Sequence, residues 1–179
     1  MSSSGRQRGA VYVEFLIVFL PVLTVILGII QLSFIYVGKE VTQRSANAAV
    51  RAAVVVLDDD PRYYGGGARD SATGARLTTI EKAAAIPLMS LSAGRGTVER
   101  AIGNGESGAS ANLAYALAHL NLSFPSGSSV GLESDVTVRV HFAFNCGVPL
   151  GRLVLCGADN TIDLAAEATL PNQGARYAY

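Results

Sequence analysis

The stretch from Ala10 to Val37 constrains this chain more than any other part of it, because apart from Tyr12 and Tyr36 it holds one ionisable residue, Glu14. Val, Leu, Ile, Phe, Gly and a few small polar residues make up the rest. A bilayer is crossed by about 20 apolar residues, so the stretch is long enough with several to spare. The apolar core of a secretory signal runs to about 7–15 residues, which this run exceeds. The small-residue sequence Ser45-Ala46-Asn47-Ala48 lies too far beyond the run to be its cleavage site. Arg6 and Arg8 precede the run, so the N-terminus is expected to stay cytoplasmic and the C-terminal part to be exported. Hydrophobicity alone fits an uncleaved signal anchor equally well.

Glu14 separates these readings. A carboxylate at the centre of a membrane helix costs about 2.5–3.5 kcal/mol to insert, and such a residue generally serves a partner. Lys39 cannot be that partner, since about 25 helical residues at about 1.5 Å each lie between them. Glu14 instead sits one helical turn after Ala10, so Gly9-Ala10-Val11-Tyr12-Val13-Glu14-Phe15 reads as a cleavage junction with a glutamate at the fifth mature position. This arrangement resembles the class III signal of type IV pilins: a short basic leader from Met1 to Gly9, a glycine before the cut and a glutamate after it. The resemblance implies that a membrane aspartic protease, the prepilin peptidase, cuts after Gly9, and that Glu14 meets the free amine of a neighbouring subunit during assembly. Cleavage would create a cation at Ala10, and two opposite charges in lipid satisfy each other.

Gly9-Ala10, Val13-Glu14-Phe15, Pro21 and the continuation Gln43-Arg44-Ser45-Ala46-Asn47-Ala48-Ala49-Val50-Arg51-Ala52-Ala53 resemble, more narrowly, the TadE/TadF-like minor pilins, or pseudopilins, of the tight-adherence (Tad/Flp pilus) system. The resemblance covers about Gly9 to Val56. Major Flp pilins are short and nearly all helix, whereas this chain continues for more than a hundred residues. That departure favours a minor subunit over the main fibre subunit.

Beyond Lys39 the helical pattern persists, with Glu40, Arg44, Asn47 and Arg51 on one stripe and Val41, Ala48, Ala52 and Val55 opposite. Pro21 is expected to kink or loosen the membrane half. Asp58-Asp59-Asp60-Pro61 ends the helix, and Gly65-Gly66-Gly67 follows in a loop. The aspartate run lacks the alternate spacing of a calcium loop and reads as solvated; Arg62-Tyr63-Tyr64 reads as exposed loop. Thr78 to Ser92 reads as a helix capped by Thr78 or Thr79 and shortened by Pro87. A Gly/Ser-rich loop from Ala93 to Ser110 precedes a short helix from Ala111 to Leu120. Gly103-x-Gly105-x-x-Gly108 matches the dinucleotide fingerprint only as a string, since no buried strand precedes it and no βαβ succession follows.

Val136, Val138, Val140, Phe142 and Phe144 alternate strictly with polar or small residues, and Ile162, Leu164, Ala166, Ala168 and Leu170 do so again. A period of two marks half-buried strands, and a short connection makes them antiparallel. Their natural cover is the extended N-terminal helix. The fold class is therefore α+β, a long N-terminal helix packed on a small antiparallel sheet, as the pilin resemblance also implies. The expected organisation is a leader at 1–9, a transmembrane helix at 10–37, a helical extension at 38–57 and an extracytoplasmic α+β domain at 58–179. Cys146 and Cys156 flank the strand connection and are expected to form a disulfide in an exported domain, worth about 2–3 kcal/mol in the chain-entropy model. The apolar residues between them, Val148-Pro149-Leu150 and Leu153-Val154-Leu155, are assigned to the core ahead of an exposed contact patch.

Lys+Arg and Asp+Glu balance at 14 each, and no basic patch follows the leader, which argues against a nucleic-acid partner. His119 and His141 read as surface or packing residues. No Gly-x-Ser-x-Gly elbow, His-Glu-x-x-His pair or phosphate loop occurs, so no catalytic residue, metal site or cofactor is assigned. Three functional readings fit, in this order: a minor pilin of a Tad-type machine, a pseudopilin of type II secretion, and an uncleaved single-pass anchor carrying a binding domain. The first implies other pilin subunits, the prepilin peptidase, inner-membrane assembly proteins and lipid as partners. It places the chain in the inner membrane with its C-terminal domain periplasmic or extracellular.

Overall fold

The computed structural model describes residues 4–92, 106–127, 131 and 134–172. Its elements run in the order α1 (Ser4–Asp58), a 3-10 turn (Pro61–Tyr64), α2 (Gly74–Ser92), α3 (Glu106–His119), β1 (Leu120–Ser123), β2 (Asp135–Asn145), α4 (Gly151–Leu155) and β3 (Thr161–Pro171). The three strands form one antiparallel sheet in the order β1-β2-β3. Two compact units divide the chain: Met1–Tyr36 with Asn145–Ile162, and Val37–Phe144 with Asp163–Tyr179.

The second unit holds the hydrophobic core. Strand β2 buries Val136, Val138, Val140, Phe142 and Phe144, and β3 buries Leu164, Ala166 and Ala168, as the alternation requires. Against this face lie Ala46, Ala49, Val50, Ala53, Val56 and Leu57 of α1 with Ile80 and Ala84 of α2. The buried stripe of α1 is thus a flank and not the face opposite the charges. Ala48 and Ala52 are half-buried and Val55 is 68% exposed, which corrects the sequence expectation. Small residues explain the choice: Ser45, Ala46, Ala49 and Ala53 recur at three- and four-residue spacing and let neighbouring backbones approach. Ser45 donates its hydroxyl to the Ala84 carbonyl at 2.6 Å. At Gly38 any Cβ would lie 2.8 Å from Leu164 Cδ1 and 3.4 Å from a Phe144 ring carbon, so glycine lets the sheet approach without moving the Leu164 side chain.

Several local boundaries differ from the sequence expectation. Helix α2 begins at Gly74, so Thr78 and Thr79 are not caps; their hydroxyls donate to the carbonyls of Gly74 and Ala75 one turn back. Pro87 lies inside α2 without ending it. Burial of Ala84, Ala85, Leu88 and Ser92 around it and the Ser92 hydroxyl bond to the Asn112 carbonyl of α3 hold the last turn in place. Helix α3 starts at Glu106 and stops at His119, while Leu120 opens β1. That strand was missed because the four residues Leu-Asn-Leu-Ser are too few to separate from the preceding helical pattern. The remainder of the 93–110 loop and Gly103 and Gly105 lie outside the described residues.

The aspartate run is not a solvated loop. Asp58 and Asp60 are each 4% exposed. Asp60 caps the 3-10 turn by accepting from the Arg62 amide at 3.0 Å, and Pro61 and a left-handed Gly65 complete the turn. Arg62-Tyr63-Tyr64 is therefore helical backbone with Tyr64 half-buried. Helix α1 has no basic residue in its last turn, and its terminal carbonyls are taken by Arg76 from α2. The guanidinium is 1% exposed, donates to the carbonyls of Val56, Leu57 and Asp59, and lies over the Tyr64 ring at 4.5 Å. Burial, and then the hydrogen bond to Asp59, hold the Tyr64 phenol above its ordinary pKa, which keeps the hydroxyl protonated and donating to Asp59 at 3.2 Å.

Replacing Arg76 takes the donor from the buried carbonyls of Val56 and Asp59, while that of Leu57 keeps the Asp70 amide at 3.0 Å. Arg76→Met is expected to destabilise by about 2–4 kcal/mol, and Arg76→Lys to recover only part, since an ammonium lacks the fork that spans three carbonyls. Arg139→Ala removes an ion pair with Glu167 whose side chains are 48% and 42% exposed and should cost less than about 1 kcal/mol. Urea denaturation of the detergent-solubilised chain measures all three, and an unchanged midpoint for Arg76→Met would contradict this account.

Candidate functional site

The first half of α1 is apolar on every side. From Val11 to Leu20 each side chain is exposed, and the most apolar 18-residue window has mean hydropathy 2.7 with none of it buried. A helix hydrophobic all round requires an apolar environment, and this one is long and apolar enough to cross a membrane. Phe15 and Phe19 stack along it with ring centroids 5.3 Å apart.

Glu14 stands on this exposed surface, and none of the ion pairs among the described residues includes it. Gly9 and Ala10 lie in the same continuous helical backbone, with Ala10 one turn before Glu14. The helix also continues unbroken through Pro21. These three sequence-assigned positions therefore share one helix end, with the carboxylate facing outward.

The second assigned pair, Cys146 and Cys156, forms a disulfide with Cα atoms 6.5 Å apart. The loop it closes carries α4 and packs on α1. A Cβ on Gly151 would lie 2.7 Å from the Leu27 carbonyl oxygen and 2.9 Å from Gln31 Cβ, so glycine is required for the approach. Gln31 is fully buried and its side-chain oxygen accepts from the Val148 amide at 3.0 Å. Sequence reasoning passed over Gln31; its signal was an amide within an otherwise apolar run. The assignment of the loop's apolar residues to the core is corrected: Val148, Leu150 and Leu155 are half-buried, Pro149 is exposed, and Leu153 is 72% and Val154 70% exposed. A five-residue helix seated through Gly151 cannot bury every side, and Leu153 and Val154 lie away from the contact.

A polar pocket of about 470 Å³ opens on the other face of the sheet, lined by His119, Asn121, Ser123, His141, Ala143 and Asp163. Pairing of Asn121 with His141 brings together two histidines that the sequence left apart. His141 Nδ1 lies 2.8 Å from Asp163 Oδ2, while His119 Nδ1 lies 2.9 Å from the Tyr115 carbonyl and its ring stacks on Tyr115. His141–Asp163 continues a cross-strand ladder with Arg139–Glu167 and Thr137–Thr169. Among the described residues no group of three or more His, Cys, Asp or Glu is arranged to hold a metal ion.

Residues 9–54 match the family model described as TadE-like protein. No curated protein and no solved structure matches the chain. The matched stretch begins at Gly9, includes Glu14 and Gln31, and runs on through the core stripe to Val54. Over these residues the chain is similar to TadE-like proteins.

Proposed function

We propose that this chain is a minor pilin-like structural subunit, cut by a prepilin peptidase between Gly9 and Ala10 and built into a Tad/Flp-type pilus or related secretion machine. The carrying observation is that the TadE-like match coincides with a helix end where an outward-facing Glu14 stands one turn from Ala10 on an apolar, unpacked surface. In this reading α1 spans the inner membrane with its N-terminus cytoplasmic, following Arg6 and Arg8. The remainder is exported, and the Cys146–Cys156 disulfide suits an oxidising compartment. The partners are the peptidase, inner-membrane assembly proteins and other pilin subunits.

Cleavage needs an extended chain, so the turn from Ser4 to Gly9 must unwind at the peptidase. A helix terminus frays readily, and Gly9 lowers the helix propensity at the scissile position. The mature protein is expected to begin at Ala10, read by intact mass or N-terminal sequencing of membrane-extracted chain. A Met1 start in cells that possess the peptidase would overturn the pilin reading in favour of an uncleaved anchor.

The new amine at Ala10 is a cation at the same membrane depth as Glu14 of a neighbouring subunit, and pairing offsets the burial of both charges. Glu14→Ala should therefore leave membrane abundance and leader processing unchanged while reducing co-purification with pilus components. Wild-type assembly of Glu14→Ala would mean that the glutamate is solvated at the headgroups and plays no part in joining subunits.

A further inference from the structure

We infer that the disulfide-closed loop from Cys146 to Cys156 is a second membrane contact, an interfacial foot that lays Leu153 and Val154 into the outer leaflet at its boundary with the headgroups. The inference rests on the reading of the first half of α1 as a membrane span, and on neither leader cleavage nor incorporation into a fibre.

Depth comes first. A hydrocarbon layer of about 30 Å takes about 20 helical residues. Counted from Ala10, that layer ends near Ile30, although the apolar run continues to Val37. The loop is seated on α1 at this level, through Gly151 against Leu27 and through the Val148 amide on Gln31. A fully buried Gln31 fixes the register. Within this unit the loop therefore lies beside the helix where hydrocarbon gives way to headgroups.

Surface chemistry comes second. Leu153 and Val154 are 72% and 70% exposed, and Arg152 beside them is also exposed. Two apolar side chains flanked by a cation match an interfacial surface, where the apolar groups enter the acyl boundary and the cation meets lipid phosphate.

The backbone comes third. Lipid-facing loops are excluded from hydrocarbon because their amides go unpaired, but here six of the loop's amides are satisfied internally, Val148 by Gln31 among them. Cys146 donates to the Asn160 carbonyl, Gly151 to Pro149, Arg152 to Val148, Leu153 to Leu150 and Cys156 to Arg152, and Pro149 has no amide to satisfy. Such a loop can enter the boundary region, where headgroup water reaches the amides not paired within it. The seating of the loop beside Leu27, on a helix whose apolar surface itself requires lipid, favours the bilayer over a second copy of the chain.

The chain contains no tryptophan, so one substitution makes a single reporter. Full-length Leu153→Trp, Val18→Trp and Val55→Trp are each reconstituted in phosphatidylcholine–phosphatidylglycerol vesicles, with lipids brominated either near the carbonyls or near the chain ends. Leu153→Trp is expected to show blue-shifted emission quenched most by the shallow bromines. Val18→Trp should be quenched most by the deep ones, and Val55→Trp by aqueous iodide only. Iodide-quenched, red-shifted Leu153→Trp beside a normal Val18→Trp would overturn the loop contact while sparing the membrane span. Blue-shifted Leu153→Trp that bromolipids do not quench would assign the patch to protein contact and also overturn it. A Val18→Trp untouched by bromolipids would remove the span and the foot together.

Discussion

Between its ends, and apart from the one bond that Pro21 removes, α1 satisfies its own backbone hydrogen bonds, and this internal closure lets one helix serve two environments. With the backbone closed, side chains alone decide where each segment can reside. From Val11 to Ile30 they are apolar on every side except at Glu14 and Thr24; from Gly38 onward a stripe of small residues faces the sheet and α2 while Glu40, Arg44, Asn47 and Arg51 stay exposed. Beyond the Ile17 carbonyl facing Pro21, the unsatisfied backbone groups are confined to the two ends. At the C-terminal end Arg76 collects the carbonyls of Val56, Leu57 and Asp59. At the N-terminal end the proposed function supplies the counterpart: a charge created by cleavage and matched by Glu14 of the next subunit.

Much of this was legible in the sequence wherever a periodicity or a charge stood against a uniform background. Glu14 was visible because every neighbour is apolar, and β2 because Val136 to Phe144 alternate with Asp135, Thr137, Arg139 and His141. What stayed hidden depended on distant partners. Arg76 looks like any helical arginine until the end of α1 folds against it, and the burial of Asp58 and Asp60 follows from the same docking. The stripe of α1 was misplaced because charges reveal the solvent face but do not say which flank small residues will bury. Strand β1 alternates in Leu120-Asn121-Leu122-Ser123, but four residues are too few to stand apart from the helical pattern before them.

The loop between the cysteines shows how an apolar sequence can mislead. Leu153 and Val154 look like core, yet the chain seats that loop through a glycine and a glutamine and leaves both side chains outside. The two histidines present the reverse case: His119 and His141 look unrelated, and strand pairing sets them around one polar pocket. Their hydrogen bonds to Tyr115 and Asp163 tie them to neighbouring elements of the sheet and helix.

The central claim is that one continuous helix passes from lipid into a folded, exported domain. Both native cysteines are in the disulfide, so an introduced thiol is the only target for a membrane-impermeant maleimide applied to intact, outer-membrane-permeabilised cells. The account predicts no labelling at Val18→Cys or Ile26→Cys, labelling at Arg51→Cys and Val55→Cys, and protection at the fully buried Ala53→Cys. Labelling at Val18→Cys or Ile26→Cys, or silence at both Arg51→Cys and Val55→Cys until the inner membrane is opened, would contradict it.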